Sequence, residues 1–223
     1  MPTRYSEMNC ETHFIVKPDE EYTRTQLPTF NVVAALALFH VALIACSIPY
    51  MICVPHGCHP FGYTNTISDG IRDNTVLAST LWGAGMTWVT ASRYLGLASC
   101  SFWHKCIGHL CIIVSVYGSL VTTRYDALKS PHVAAAILWI VSSFLFHFCV
   151  TIPSSVKTSW IPCCVLIFGC CFGVVYVSMF SVVILHKSHY SNITLSTVSL
   201  FEIATVLCIT LLDAVQCLQV LHI

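Results

Sequence analysis

The stretch CCVLIFGCCFGVVYVSMFSVV, residues 163 to 183, decides the fold. It contains no charged residue, so none of its faces suits water. A surface helix of a soluble bundle keeps a polar stripe on its outer side. At about 1.5 Å per residue this stretch spans about 30 Å, the hydrocarbon thickness of a bilayer. It predicts a helix that crosses a membrane.

Five comparable runs surround it, at about 30–53, 75–98, 107–122, 131–152 and 199–221, and the run containing it extends over about 160–184. The third is short unless it reaches back through Trp103. The fourth opens at Pro131, where a missing N–H costs nothing. Helices satisfy their own backbone groups and so cross lipid readily. The links between runs are too short for a soluble domain. The expected fold is all-α, a polytopic membrane helix bundle with six transmembrane helices and both termini cytoplasmic. Residues 1–29 would be a polar cytoplasmic segment, and residues 30–223 the membrane domain, with an outer loop at 54–74. The first 29 residues lack the basic start and apolar run of a signal peptide.

Composition agrees. Of 223 residues, 9% are charged and 56% hydrophobic, whereas soluble domains carry about 25% charged residues. Formal net charge is +0, and no Lys/Arg cluster exists, which argues against nucleic acid as a partner. Most of the 14 cysteines sit in apolar runs, where they act as small hydrophobes. Their spacing fits no zinc site. No metal or cofactor is expected, and membrane lipids and other membrane proteins are the expected partners.

With the termini inside, Arg4, Lys17, Arg24, Arg93, Lys105 and Lys157 lie on the cytoplasmic side. Arg72, Arg124, Lys129 and Lys187 lie outside, which gives a slight positive-inside bias. Asn192-Ile193-Thr194 is an N-glycosylation acceptor pattern that falls in the last outer loop. The polar stretch HPFGYTNTISDGIRDN, residues 59 to 74, then faces outward. Cys53 and Cys58 flank a turn-rich VPHG at its start, where an oxidising compartment would permit a disulfide. The competing reading is two unlinked thiols.

Charged groups at membrane depth need partners. Glu202 and Asp213 are eleven residues apart on the last helix, about three turns, and share nearly one face. That face should look into the bundle, with Asp213 toward the cytoplasmic half. Arg93 and Tyr94 end the second run at a depth where Arg93 can pair with Asp213 or snorkel to headgroups. Histidines are plentiful, but no HExxH or HxxxH spacing gathers them into a catalytic metal site. Gly83, Gly85, Gly169 and Gly173 suit close helix packing.

Four places in the chain resemble one family. They are Pro60 with Ile67-Ser68-Asp69-Gly70, Arg93-Tyr94 at the inner end of the second run, His132 opening the fourth, and Glu202 early in the sixth. Their order and heights are similar to those of the Frag1/DRAM/Sfk1 family of six-span membrane proteins, over roughly 30–223. The chain departs from that pattern in three ways: Gly70 directly follows Asp69, Ile203 stands where a tryptophan is common, and a proline after the glycine is absent. The resemblance implies a non-enzymatic regulator or lipid-handling factor, in autophagy or in GPI-anchor and lipid remodelling. It also implies an endomembrane location in Golgi, ER or lysosome rather than the plasma membrane. Ser68, Asp69, Gly70, His132 and Glu202 are the candidate outer polar cluster for a lipid headgroup. Arg93, Tyr94 and Asp213 are the candidate inner polar residues. The alternative is a membrane-embedded lipid-modifying enzyme that uses the same lumenal Ser/His/Asp/Glu group.

Overall fold

The computed structural model describes residues 20–53, 65–98, 100–123, 129–152, 160–185 and 192–221. All regular elements among them are helical. The helices are α1 (Glu20–Cys53), α2 (Ile67–Asp73), α3 (Thr75–Gly96), α4 (Phe102–Thr122), α5 (Lys129–Phe146), α6 (Ile161–Leu185) and α7 (Asn192–Leu221). A π-helical turn, His147–Thr151, continues α5. Five segments are long and apolar enough to cross a membrane: Asn31–Tyr50, Phe102–Thr122, Pro131–Thr151, Ile161–Val182 and Thr194–Leu221. The protein is therefore a polytopic membrane helix bundle.

The expected span at 75–98, absent from these five, corresponds to α3. It is 22 residues long, but its Ser, Thr, Gly and Arg content dilutes its hydropathy. Several of these polar groups point inward. Ser92 and Arg93 are buried, and Trp82 donates its indole N–H to Ser47 of α1 at 3.2 Å. α3 packs against α1 and α7, so part of its exterior is protein rather than lipid.

Helix boundaries depart from the apolar runs where polar residues also favour helix. α1 begins at Glu20, ten residues before the apolar run, inside the segment expected to be a separate polar tail. α4 begins at Phe102 and so does include Trp103. α7 begins at Asn192, which puts the Asn192-Ile193-Thr194 pattern in its first turn rather than in a loop. The expected loop 54–74 is also partly helical. Thr66 caps α2, accepting from the Asp69 N–H at 2.9 Å, while Asp69 accepts from the Thr66 N–H at 3.0 Å. This reciprocal capping box supplies two otherwise orphan donors with acceptors. Gly70 consequently lies buried inside a helix rather than in a loop. Cys53 ends α1, and Cys58, its expected disulfide partner, lies outside the described residues.

The core joins Ile44, Ile48 and Ile52 of α1 to Ile67 and Ile71 of α2, Trp82 of α3, Trp139 and Phe144 of α5, and Val206, Ile209 and Leu212 of α7. A smaller cluster unites Leu97, Cys111, Ile112, Phe146 and Val150. Many large apolar side chains point outward, such as Leu110, Ile113, Phe148 and Ile167. In a membrane this is the expected distribution, because lipid tails are as apolar as leucine.

Close helix approach falls on two of the glycines the sequence suggested, Gly85 and Gly169, but not on Gly83, and also on Gly118. A Cβ on Gly83 would meet nothing within 4 Å, so that glycine faces open space. A Cβ on Gly118 would lie 2.8 Å from both the Ala135 carbonyl oxygen and the Trp139 nitrogen, so α4 and α5 touch there through backbone. Gly118→Ala should lower the detergent-solubilised unfolding temperature, through an overpacking cost of about 1–3 kcal/mol. Gly83→Ala should leave it unchanged or raise it, since alanine favours helix by about 1 kcal/mol. Equal effects, or the reverse order, would contradict the assigned α4–α5 contact.

Candidate functional site

α7 carries two carboxylates on its inward face, and each anchors a separate polar cluster. The first lies at the end of the bundle where α2 sits. Glu202 is buried, only 6% exposed. Its Oε2 accepts from the Ile67 N–H at 2.9 Å, and its Oε1 lies 3.1 Å from the Ser68 hydroxyl. The Tyr176 hydroxyl of α6 donates to Oε1 at 3.4 Å. Ser68 also lies 3.1 Å from Nε2 of His132, which is 2% exposed. Nδ1 of His132 donates to the Thr122 carbonyl oxygen of α4 at 2.9 Å. One hydroxyl and one carboxylate thus bring together α2, α4, α5, α6 and α7.

The hydrogen count of this junction is restrictive. The Thr122 carbonyl can only accept, so Nδ1 of His132 carries a proton. Ser68 has one hydroxyl hydrogen to share between Glu202 and His132. Both contacts are hydrogen bonds only if one neighbour donates back, either a protonated Glu202 or the Nε2–H of an imidazolium.

Asp69 stands apart from this junction. It is committed to the Thr66 capping box and to a salt bridge with Arg72 at 3.2 Å. Gly70 contributes packing only. Of the five residues expected to form the outer cluster, the structure therefore brings together Ser68, His132 and Glu202. Tyr176 joins them, although no polar spacing in its apolar helix distinguishes it.

The second cluster lies deeper. The Arg93 side chain is 1% exposed and forks onto Asp213, with Nε to Oδ1 at 2.8 Å and Nη2 to Oδ2 at 3.0 Å. Nη1 donates to Ser115 of α4 at 3.0 Å, and Nη2 reaches Ser143 of α5 at 3.4 Å. The guanidinium also stands over the Phe146 ring, 5.2 Å from its centroid. A fork on a carboxylate is the geometry that best satisfies guanidinium donors. His147, in the π turn, places Nε2 3.1 Å from Asp213 Oδ1 and Nδ1 2.8 Å from the Thr151 hydroxyl. Thr151 in turn donates to Gln216 of α7 at 2.9 Å. Tyr94 takes no part: it is 60% exposed and packs edge-on against His109. The sequence pointed to Arg93 and Asp213 by charge and depth, whereas Ser115, Ser143 and Gln216 carried no such mark.

Among the described residues no group of three His, Cys, Asp or Glu side chains is arranged to hold a metal ion. No protein-family model matches the chain, and neither the curated proteins nor the solved structures include a match.

Removing either member of the Arg93–Asp213 pair leaves a charge buried without its partner, which costs about 3–5 kcal/mol. Arg93→Ala and Asp213→Ala should each sharply reduce folded protein, measured by monodisperse yield and unfolding temperature. The double variant Arg93→Ala with Asp213→Ala should lose less than the two single losses combined. Strict additivity would show that the pair is not coupled.

Proposed function

We propose that this protein is a non-enzymatic multi-pass membrane factor that handles lipid at the α2 end of the bundle. The observation that carries the reading is the Ser68 hydroxyl shared by Glu202 and His132. It lies at the membrane-boundary end of three helices and holds a short helix over them. Hydrogen-bonding groups gathered at that depth suit a lipid headgroup, whose phosphate or hydroxyl oxygens can replace one bond of the junction. The finer topology belongs to the same proposal. α3 completes a set of six spans, since 22 residues reach about 33 Å. Both termini then share the cytoplasmic side, residues 1–29 begin there, and Asn192 faces a compartment where it can be glycosylated. The distribution of Lys and Arg supports this orientation.

A distant relationship to the Frag1/DRAM/Sfk1 family is part of the proposal. What supports it is that Ser68, His132 and Glu202, three of the positions carrying the resemblance, meet in one cluster. Roles in autophagy or GPI-anchor remodelling and an endomembrane location follow from that relationship alone. The second reading, a lipid-modifying enzyme, has one favourable feature. Ser68 lies within hydrogen-bond reach of His132 Nε2, the spacing of a nucleophile and its base.

One experiment separates the two. Purified protein is reconstituted with mixed lipids, and bound lipid and released products are followed by mass spectrometry. The lipid-handling reading predicts selective enrichment of one headgroup class, lost in Ser68→Ala and His132→Ala, with no lipid product formed. Product formation that depends on Ser68 would replace it with the enzyme reading. Unselective lipid in wild type and variants alike would remove both.

A further inference from the structure

Helices α5 and α6 are in tight contact at one level and in ordinary contact one turn further on. At Gly169 a Cβ would lie 2.7 Å from the Phe144 ring and 2.8 Å from Cys208 Cβ, so α5, α6 and α7 are in contact there. One turn further, at Gly173, the nearest atoms would be 3.5 Å away. Between these helices lies a groove of about 350 Å³, whose walls include Ile137, Ile140, Phe144, Gly173, Val177 and Ser178. Of its walls, Phe144 is buried. Its rim residues Val141 and Val174 are 57% and 67% exposed on the outer surface of the bundle.

The surroundings decide what fills it. Both walls belong to membrane-crossing segments, Pro131–Thr151 and Ile161–Val182, so the groove continues the lipid-facing surface of the bundle. Water needs two to four polar partners to stay in a cavity, and among the described residues lining this one Ser178 is the only one with a hydroxyl, amide or charged group. A flexible hydrocarbon chain fits both the apolar lining and the membrane-facing position.

The position relative to the polar junction adds direction. Ile137 lies five residues from His132, about 8 Å along α5. Val177 adjoins Tyr176, whose hydroxyl donates to Glu202. We propose that the α5–α6 groove holds one acyl chain of a membrane lipid, with its headgroup end toward the Glu202–Ser68–His132 junction. The headgroup part rests on the lipid-handling reading above, and the acyl-chain part stands on the groove alone.

The test uses the full chain in phosphatidylcholine nanodiscs doped with phosphatidylcholine bearing a photoreactive diazirine in mid-chain. Labelled peptides are mapped by mass spectrometry. Labelling is expected to concentrate on residues 137–144 and 170–178, above the equally exposed face of α4 at Leu110, Ile113 and Tyr117. Val141→Trp with Val174→Trp, at exposed rim positions, should cut groove labelling about tenfold, equivalent to about 1.4 kcal/mol of lost binding. Gly173→Ile fills the groove from its back wall and serves as the second variant. Equal labelling of α4 and the groove, or wild-type labelling in folded groove-filling variants, overturns the proposal. The two readings fail separately. Groove labelling that persists without any headgroup preference supports the groove and ends the headgroup reading. Headgroup enrichment without groove labelling does the reverse.

Discussion

A carboxylate inside a membrane has no water to turn to, and α7 carries two of them on one face. Glu202 and Asp213 lie eleven residues apart, about 16 Å along the helix. A charged side chain at the bilayer centre costs about 3 kcal/mol on insertion scales. Each carboxylate must therefore find donors from the helices around it, and those donors fix where the helices sit. Asp213 takes Arg93 of α3 and faces His147 of the α5 extension, and Arg93 carries the contact on to Ser115 of α4 and Ser143 of α5. Glu202 takes the Ile67 amide of α2 and the Tyr176 hydroxyl of α6. α1 packs against α7 through the apolar core.

The two carboxylates perform different work. A buried ion pair contributes little net stability compared with well-packed apolar groups of similar volume. What Arg93 and Asp213 add is register, because a slipped or rotated α3 would leave both charges unsatisfied. The π turn at His147–Thr151 fits the same demand. A π turn is a rare interruption of an α-helix, frequent at functional sites, and here it includes both His147 and Thr151, the links from Asp213 to Gln216. At Glu202 the tie is to the Ile67 and Ser68 amides and the Ser68 hydroxyl of a seven-residue helix. Such a junction is easier to open than the forked ion pair, because uncharged donors hold a carboxylate less strongly than a guanidinium fork does. This difference makes the α2 end the candidate for ligand response and the Arg93 end the fixed frame.

The sequence was most legible where lipid enforces a simple rule. Uncharged runs of bilayer length gave the membrane helices, and the eleven-residue spacing of Glu202 and Asp213 gave the inward face of α7. Charge and depth were enough to match Arg93 to Asp213, because so few ionic groups were available. α2 was obscured because Asp69-Gly70 reads as a turn, although Thr66 and Asp69 form a capping box. The starts of α1 and α7 were missed because polar residues outside an apolar run still form helix. Tyr176 was invisible because its helix has no polar face. Gly83 and Gly118 show the limit of small-residue spacing: composition marks where helices can approach, while only the three-dimensional arrangement decides which of those places are used.

The central claim is that Glu202 holds α2 against the bundle through the Ile67 amide and the Ser68 hydroxyl. Hydrogen–deuterium exchange in nanodiscs tests it most directly, with Glu202→Ala compared with the native chain. The account predicts that the amides of residues 67–73 are protected in the native protein and exchange freely in the variant. The amides of α3 around Trp82 should remain protected in both. Equal exchange of α2 in the two proteins, with α3 intact, would contradict the claim and reduce the junction to a passive contact.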